Sequence, residues 1–205
     1  FDAAILLQNA IEAAILARLA GIPVRAGYST DARGLLLTHP VSRPPGIHTV
    51  HQSLYYLGML EALGFTPPGT SVPIVPTEEQ GRAAERHLAQ MGIAGRRPLV
   101  GMAPGAAYGP AKRWFPERFA AVADRLAGLY GCPVLLFGSA GDRASTQAVR
   151  AAAKTALVDI AGRTPLGDAI ALIACCDLFV TNDSGLMHVA GALGVPTVAV
   201  FGSTN

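Results

Sequence analysis

The stretch that decides the fold reads Asp177-Leu178-Phe179-Val180-Thr181-Asn182-Asp183-Ser184-Gly185-Leu186-Met187-His188, followed by Val189-Ala190-Gly191-Ala192-Leu193-Gly194. An apolar run leads into a cluster of polar and small residues, and an apolar run of helical character leads out. The order is strand, turn, helix. Helix starts carry free N–H groups and the positive end of the peptide dipole, so anions collect there. Asp and Ser are also ordinary N-cap residues. The turn therefore reads either as a well-capped strand-to-helix connection or as a phosphate-binding turn.

The same alternation extends outward. Residues 98–102, 133–137, 156–160 and 197–201 read as short buried strands. Residues 116–129 read as a helix with Pro116 in its first turn. Residues 142–155 read as another, and Thr164 is expected to cap a third from Pro165 to about Cys175. Nearer the N-terminus, strands at 3–7 and 23–28 flank a helix at 10–19. Residues 31–45 read as loop and 48–63 as helix. Residues 66–76, rich in Pro and Gly, read as a linker. Thr77 and Gln80 form a capping-box pattern that opens a helix to about Met91. Apolar strands alternating with helices predict the α/β class, with a parallel sheet covered on both faces. The linker divides the chain into residues 1–76 and 77–205. Ligands of such sheets sit beyond the carboxyl ends of the strands. That puts the loops at 103–115, 138–142 and 182–188 on one rim.

Composition narrows the function. A 205-residue chain that is 51% hydrophobic and 15% charged can bury a real core. Its net charge of +2 makes no strong case for nucleic acid or an anionic membrane surface. Gly, Pro or a charge interrupts every long apolar stretch, so none has the make-up of a membrane span. Cys132, Cys175 and Cys176 fit no disulfide framework and read as core thiols of a reducing cytoplasm. His48 and His51 have helical spacing with no other ligand type nearby, which points to a helix surface and not to a metal site. The start at Phe1 and the end just after a strand lead us to expect a piece of a longer protein.

The loop after the 98–102 strand reads Ala103-Pro104-Gly105-Ala106-Ala107-Tyr108-Gly109-Pro110-Ala111-Lys112-Arg113-Trp114-Phe115-Pro116. Glycine lets backbone approach an anion, and Lys112 and Arg113 supply charge. The loop lacks the Gly-Lys-Ser/Thr spacing of a Walker A loop, and no G-x-G-x-x-G occurs. A long surface loop with solvated cations is the alternative. A diphosphate lying between this loop and the 182–188 turn would meet both cations and the N–H groups of Gly185 and Leu186.

Both motifs, together with Ala20-Gly21-Ile22-Pro23-Val24-Arg25-Ala26-Gly27-Tyr28, resemble those of glycosyltransferase family nine, the lipopolysaccharide heptosyltransferases. The second motif marks the family and the first selects a member type within it. The similarity covers essentially the whole chain. It implies a GT-B fold: two Rossmann-like domains, here an incomplete acceptor-side domain and a donor-binding domain lacking its last helices. The implied reaction transfers L-glycero-D-manno-heptose from ADP-heptose to the inner-core heptose of Kdo–lipid A, inverting the anomeric carbon, with no cofactor or metal. The implied setting is the cytoplasm, in peripheral contact with the inner leaflet of the inner membrane. Lys112 falls on the family's phosphate-contacting lysine, which stabilises the leaving group. Gly105, Asp183, Ser184, Gly185, Leu186 and His188 fall at the donor site, Thr164 near the adenine and Asp142 near the acidic ribose contact. The family's proposed base is an Asp in a Gly-Asp motif that would lie upstream of Phe1, so the chain alone is expected to bind donor better than it catalyses.

Neighbouring residues have competing readings. Asp183 either caps the helix or orients the donor. His188 either donates to phosphate or packs beneath the turn. Arg113 is a phosphate contact or a flanking surface residue, and Met187 is core or pocket wall. Trp114 and Phe115 are expected to anchor the loop in the core, and Tyr55 and Tyr56 to be structural. Arg25, Arg33 and Arg43 could form a basic surface toward lipid or be ordinary solvated residues. Three other functions stay open: a non-catalytic sugar-nucleotide-binding module, a transferase of another sugar, and a Rossmann oxidoreductase, which the missing glycine fingerprint disfavours.

Overall fold

The computed structural model describes residues 1–67, 69–70, 73–106 and 109–202. It divides into two compact units, residues 1–71 and 72–205. The amide of Ile74 donates to the carbonyl of Ala192 at 2.9 Å, so the C-terminal part of the expected linker belongs with the second unit.

The first unit holds three parallel strands in the order β1 (Ala3–Ile5), β2 (Val24–Tyr28), β3 (His39–Val41). Helix α1 (Ile11–Leu19) connects the first two strands. Strand β3 lies where a loop was expected. It has three residues and contains Pro40, which a sheet tolerates at an edge. The expected helix over 48–63 begins instead with a 3-10 turn (Ile47–Thr49), and α2 proper is Gln52–Ala62. Tyr28, Val41, Tyr55 and Met59 form the core, with the Tyr28 hydroxyl donating to the Tyr55 carbonyl at 2.8 Å. Burial pushes the Tyr28 phenol above its ordinary pKa.

Arg33 is fully buried. Its guanidinium donates to the carbonyls of Tyr28 and Gln8 and to Asn9 Oδ1. Burial lowers its pKa. The Arg25 guanidinium likewise donates to the Leu36 and Ile22 carbonyls, and Arg43 stacks over the Tyr55 ring. Arg33 is therefore bound into the interior of the unit, while Arg25 and Arg43 are half-buried at its edge.

The second unit begins with α3 (Glu78–Gln90), whose capping box forms as expected: Thr77 N–H donates to Gln80 Oε1 and Gln80 N–H to Thr77 Oγ1. Then follow β4 (Val100–Ala103), α4 (Pro116–Tyr130), β5 (Val134–Leu136), α5 (Arg143–Ala152), β6 (Val158–Asp159), α6 (Leu166–Ala174), β7 (Leu178–Asn182), α7 (Gly185–Ala192) and β8 (Thr197–Val200). The five strands are parallel in the order β6-β5-β4-β7-β8. Alternation along β5 assigns the two faces. Leu135 and Phe137 pack with Phe179, Leu172 and Ile173, and Val134 and Leu136 pack with Phe119, Ala123 and Val149. The rings of Phe137 and Phe179 meet edge-on at 5.5 Å. Burial of each such side chain stabilises the fold by about 1.5–3 kcal/mol.

Two carboxylates brace the loops. Asp124 on α4 accepts from the amides of Lys154 and Thr155. Asp177 accepts from the Leu99 amide at 2.7 Å and from Arg97. These bonds, led in each case by the backbone amide, hold both carboxyls below their ordinary pKa.

Candidate functional site

From β4 the chain moves outward to β5 and β6, then returns through α6 to β7 and β8 on the other side. The connections after β4 and β7 diverge at the sheet's switch point, where ligands of this architecture bind. A cavity of about 610 Å³ opens there, within the usual size range of small-molecule sites. It is lined by Gly105 after β4, residues 137–140 and Asp142 after β5, Ile160, Gly162 and Thr164 after β6, and Ser184, Gly185 and Leu186 at the start of α7. Phe137, Ile160, Leu166, Leu186 and Val189 give it an apolar wall.

Ser184 occupies the N-cap of α7, but its side chain makes no capping bond. Its hydroxyl lies 3.3 Å from Thr181 Oγ1 instead. With no capping bond from Ser184, this helix start keeps its capacity for an anion.

Six of the nine expected donor-site residues line the cavity: Gly105, Asp142, Thr164, Ser184, Gly185 and Leu186. The other three lie elsewhere. Lys112 Nζ donates to Asp183 Oδ2 at 2.6 Å, joining the loop after β4 to the end of β7. Asp183 is therefore not the helix cap; its carboxylate faces the lysine and its amide donates to the Val200 carbonyl at 3.1 Å. His188 is exposed on α7 and does not pack beneath the turn.

Asp142 is held within its own turn. Its Oδ2 accepts from the Ser139 amide at 2.9 Å and hydroxyl at 2.7 Å. The expected helix start at Asp142 is a 3-10 turn (Ala140–Asp142) leading into α5. A methyl group at Gly105 would overlap the Asp142 carboxyl, so the two loops pack flush because residue 105 has no side chain. Thr164 does not cap α6: Pro165 takes that position and makes no capping bond.

The Arg113 guanidinium donates to the Ala106 carbonyl within its own loop. Trp114 meets Phe119 edge-on at 5.3 Å and anchors the loop as expected. Phe115, expected in the core, is 69% exposed. Ala107 and Tyr108 of this loop lie outside the described residues, as does the His48 side chain. His51 accepts from the Ser53 amide at the start of α2. Among the described residues, no group of three or more His, Cys, Asp or Glu side chains gathers as a metal site would require.

Sequence reasoning missed Asn182. It is fully buried. Its Nδ2 donates to the Pro104 carbonyl at 2.8 Å and its Oδ1 accepts from the Trp114 amide at 3.0 Å. Its position inside the Thr-Asn-Asp-Ser motif is the signal that could have pointed to it.

The chain resembles known proteins along its whole length. It is 34% identical over 215 residues to lipooligosaccharide heptosyltransferase 2 of Haemophilus influenzae, covering 100% of this chain and 61% of that protein. Among solved structures it is similar to E. coli ADP-heptose LPS heptosyltransferase II, with 33% identity and a TM-score of 0.78 over 100% of this chain and 64% of that one. It is also similar to a family 9 glycosyl transferase from Veillonella parvula, with 31% identity and a TM-score of 0.85 over 100% and 58%. The chain thus spans about three fifths of the length of these relatives. The likeness makes the fold that of GT-B transferases, with both units Rossmann-like. The family model for glycosyltransferase family 9, the heptosyltransferases, matches residues 1–205, and the chain belongs to that family.

Proposed function

We propose that the protein transfers L-glycero-D-manno-heptose from ADP-heptose to the inner-core heptose of Kdo–lipid A, with inversion at the anomeric carbon. One observation carries this reading. In a family 9 chain, the cavity at the switch point joins an apolar wall to an α7 start whose N-cap, Ser184, makes no capping bond, and Asp183 of the Lys112–Asp183 pair stands next to Ser184 in the chain. The apolar wall suits the adenine. Ser184 and the amides of Gly185 and Leu186 suit the diphosphate, and Thr164 and Asp142 border the nucleoside end.

The reaction requires that a base take the proton of the acceptor hydroxyl, that the sugar pass through an oxocarbenium-like state, and that ADP leave with growing negative charge. Groups already aimed at that charge lower the barrier most. Lys112 and the α7 start serve this last step. The base is assigned to no residue of this chain.

The acceptor is a lipid, and we place the protein in the cytoplasm at the inner leaflet of the inner membrane. No helix among the described residues is long and apolar enough to cross a membrane. The test is a transfer assay of the intact protein with ADP-heptose and heptosylated Kdo–lipid A. Release of ADP coupled to a heptose-extended acceptor is expected. Transfer from a UDP-sugar and none from ADP-heptose would overturn the reading.

A further inference from the structure

The loop after β4 is long, and near its end Lys112 pairs with Asp183 at the end of β7. What holds such a loop in register is visible in the buried polar bonds of Asn182. This side chain is fully buried and uses both ends of its amide: Nδ2 donates to Pro104 at the loop's beginning, and Oδ1 accepts from the Trp114 amide at its end. The next residue, Asp183, accepts from Lys112 of the same loop, two residues before Trp114. From the far side, Gly202 lies against the Ala111 carbonyl, which any side chain at 202 would strike. Buried amides in well-made bonds fix geometry because every broken bond leaves an unsatisfied group in the interior.

We infer that Asn182 is a positioning residue for the donor diphosphate: it clamps both ends of the 104–114 loop onto β7 and so sets the reach of Lys112 relative to the α7 start. This rests on the donor-site reading above. Asn182 touches no ligand in this account and acts through Lys112.

A double-mutant cycle read by ADP titration of the intact protein tests it. Asn182→Ala is expected to weaken ADP binding about tenfold. In a Lys112→Ala background the same change should alter the Kd by less than about twofold, because the group it positions is gone. A merely structural role would weaken both backgrounds by the same factor, and that result overturns the inference. A second readout stands apart from the ligand. Hydrogen exchange at the Trp114 amide should be slow in the wild type and fast in Asn182→Ala; slow exchange in both overturns the clamp. Should Asn182→Ala fail to fold, Asn182→Asp carries the test. It keeps the acceptor for Trp114 but loses the donor to Pro104, so the amide should stay protected while ADP binding weakens about threefold. Unchanged ADP binding in that variant counts against the clamp. If the wild type binds no ADP, the donor-site reading falls and this inference with it; if it binds ADP and the cycle is additive, only the inference falls.

Discussion

Lys112 Nζ and Asp183 Oδ2 stand 2.6 Å apart, with side chains only 21% and 22% exposed. The pair closes the gap between the loop after β4 and the end of β7, the two strands that flank the sheet's switch point. Partial burial limits screening of the attraction by water and salt. A donor diphosphate that engages Lys112 has to compete with this carboxylate, so the pair sets both the position of the cation and the cost of recruiting it.

Lys112→Ala should remove a charged hydrogen bond from the leaving diphosphate. In the intact enzyme the expected loss is about 2–3 kcal/mol of transition-state stabilisation, roughly thirty- to 150-fold in kcat/KM. Steady-state kinetics showing less than about a threefold loss would remove Lys112 from the account.

Asp183→Asn separates two roles of one carboxylate. Losing the negative charge relieves repulsion of phosphate and releases Lys112, so ADP should bind at least as tightly as to wild type. If the carboxylate also meets sugar hydroxyls, ADP-heptose should bind about tenfold more weakly relative to ADP. Paired titrations with the two ligands check this; equal changes for both would deny Asp183 a contact with the sugar.

Gly162→Ala should destabilise the wall of the cavity. Gly162 has a φ of +63°, and a Cβ there would lie 2.7 Å from Ala140 Cα. Forcing an L side chain into that conformation against backbone costs about 1–3 kcal/mol. Urea unfolding should show the loss together with weaker ADP binding. A variant as stable as wild type would mean that the 138–142 turn yields freely.

Asp124 makes stability depend on pH in a fixed direction. Amide bonds from Thr155 and Lys154 hold its carboxyl below the ordinary range in the folded state. The unfolded chain therefore binds this proton first as pH falls. The stabilisation is present above the ordinary carboxylate range and is lost as pH drops through it to the lower folded value. Asp124→Asn should remove that part of the acid dependence. Urea midpoints followed from neutral pH down through the carboxylate range decide it, and parallel curves for variant and wild type would contradict the assignment.

The second unit was largely legible in the sequence because its signals are local. Thr77 and Gln80 announce α3, Pro116 starts α4, and the strands from Val100 to Val200 are short apolar runs bounded by turn residues. Strand β3 was not legible: three residues containing Pro40 carry no periodicity, and their pairing with β2 is a tertiary event. The turn at 181–188 was legible as a helix start near an anion site. Its internal division of labour was not. Asn182 bonds to backbone groups 78 and 68 residues away, and no local pattern encodes such partners. Arg33 likewise looked like a surface cation because its partners are the carbonyls of Tyr28 at the end of β2 and of Gln8 after β1. Thr164 resembled a cap by residue type, but Pro165 takes the N-cap position and leaves Thr164 on the cavity wall.

We propose that the cavity bounded by Gly105, Asp142, Thr164 and Ser184 holds the ADP part of the donor. Calorimetric titration of the intact protein with ADP and with UDP tests it most directly. A purine covers more of the apolar wall of Phe137, Ile160 and Leu166 than a pyrimidine does. ADP should therefore bind at least about tenfold more tightly than UDP. Equal affinities for ADP and UDP would contradict the account.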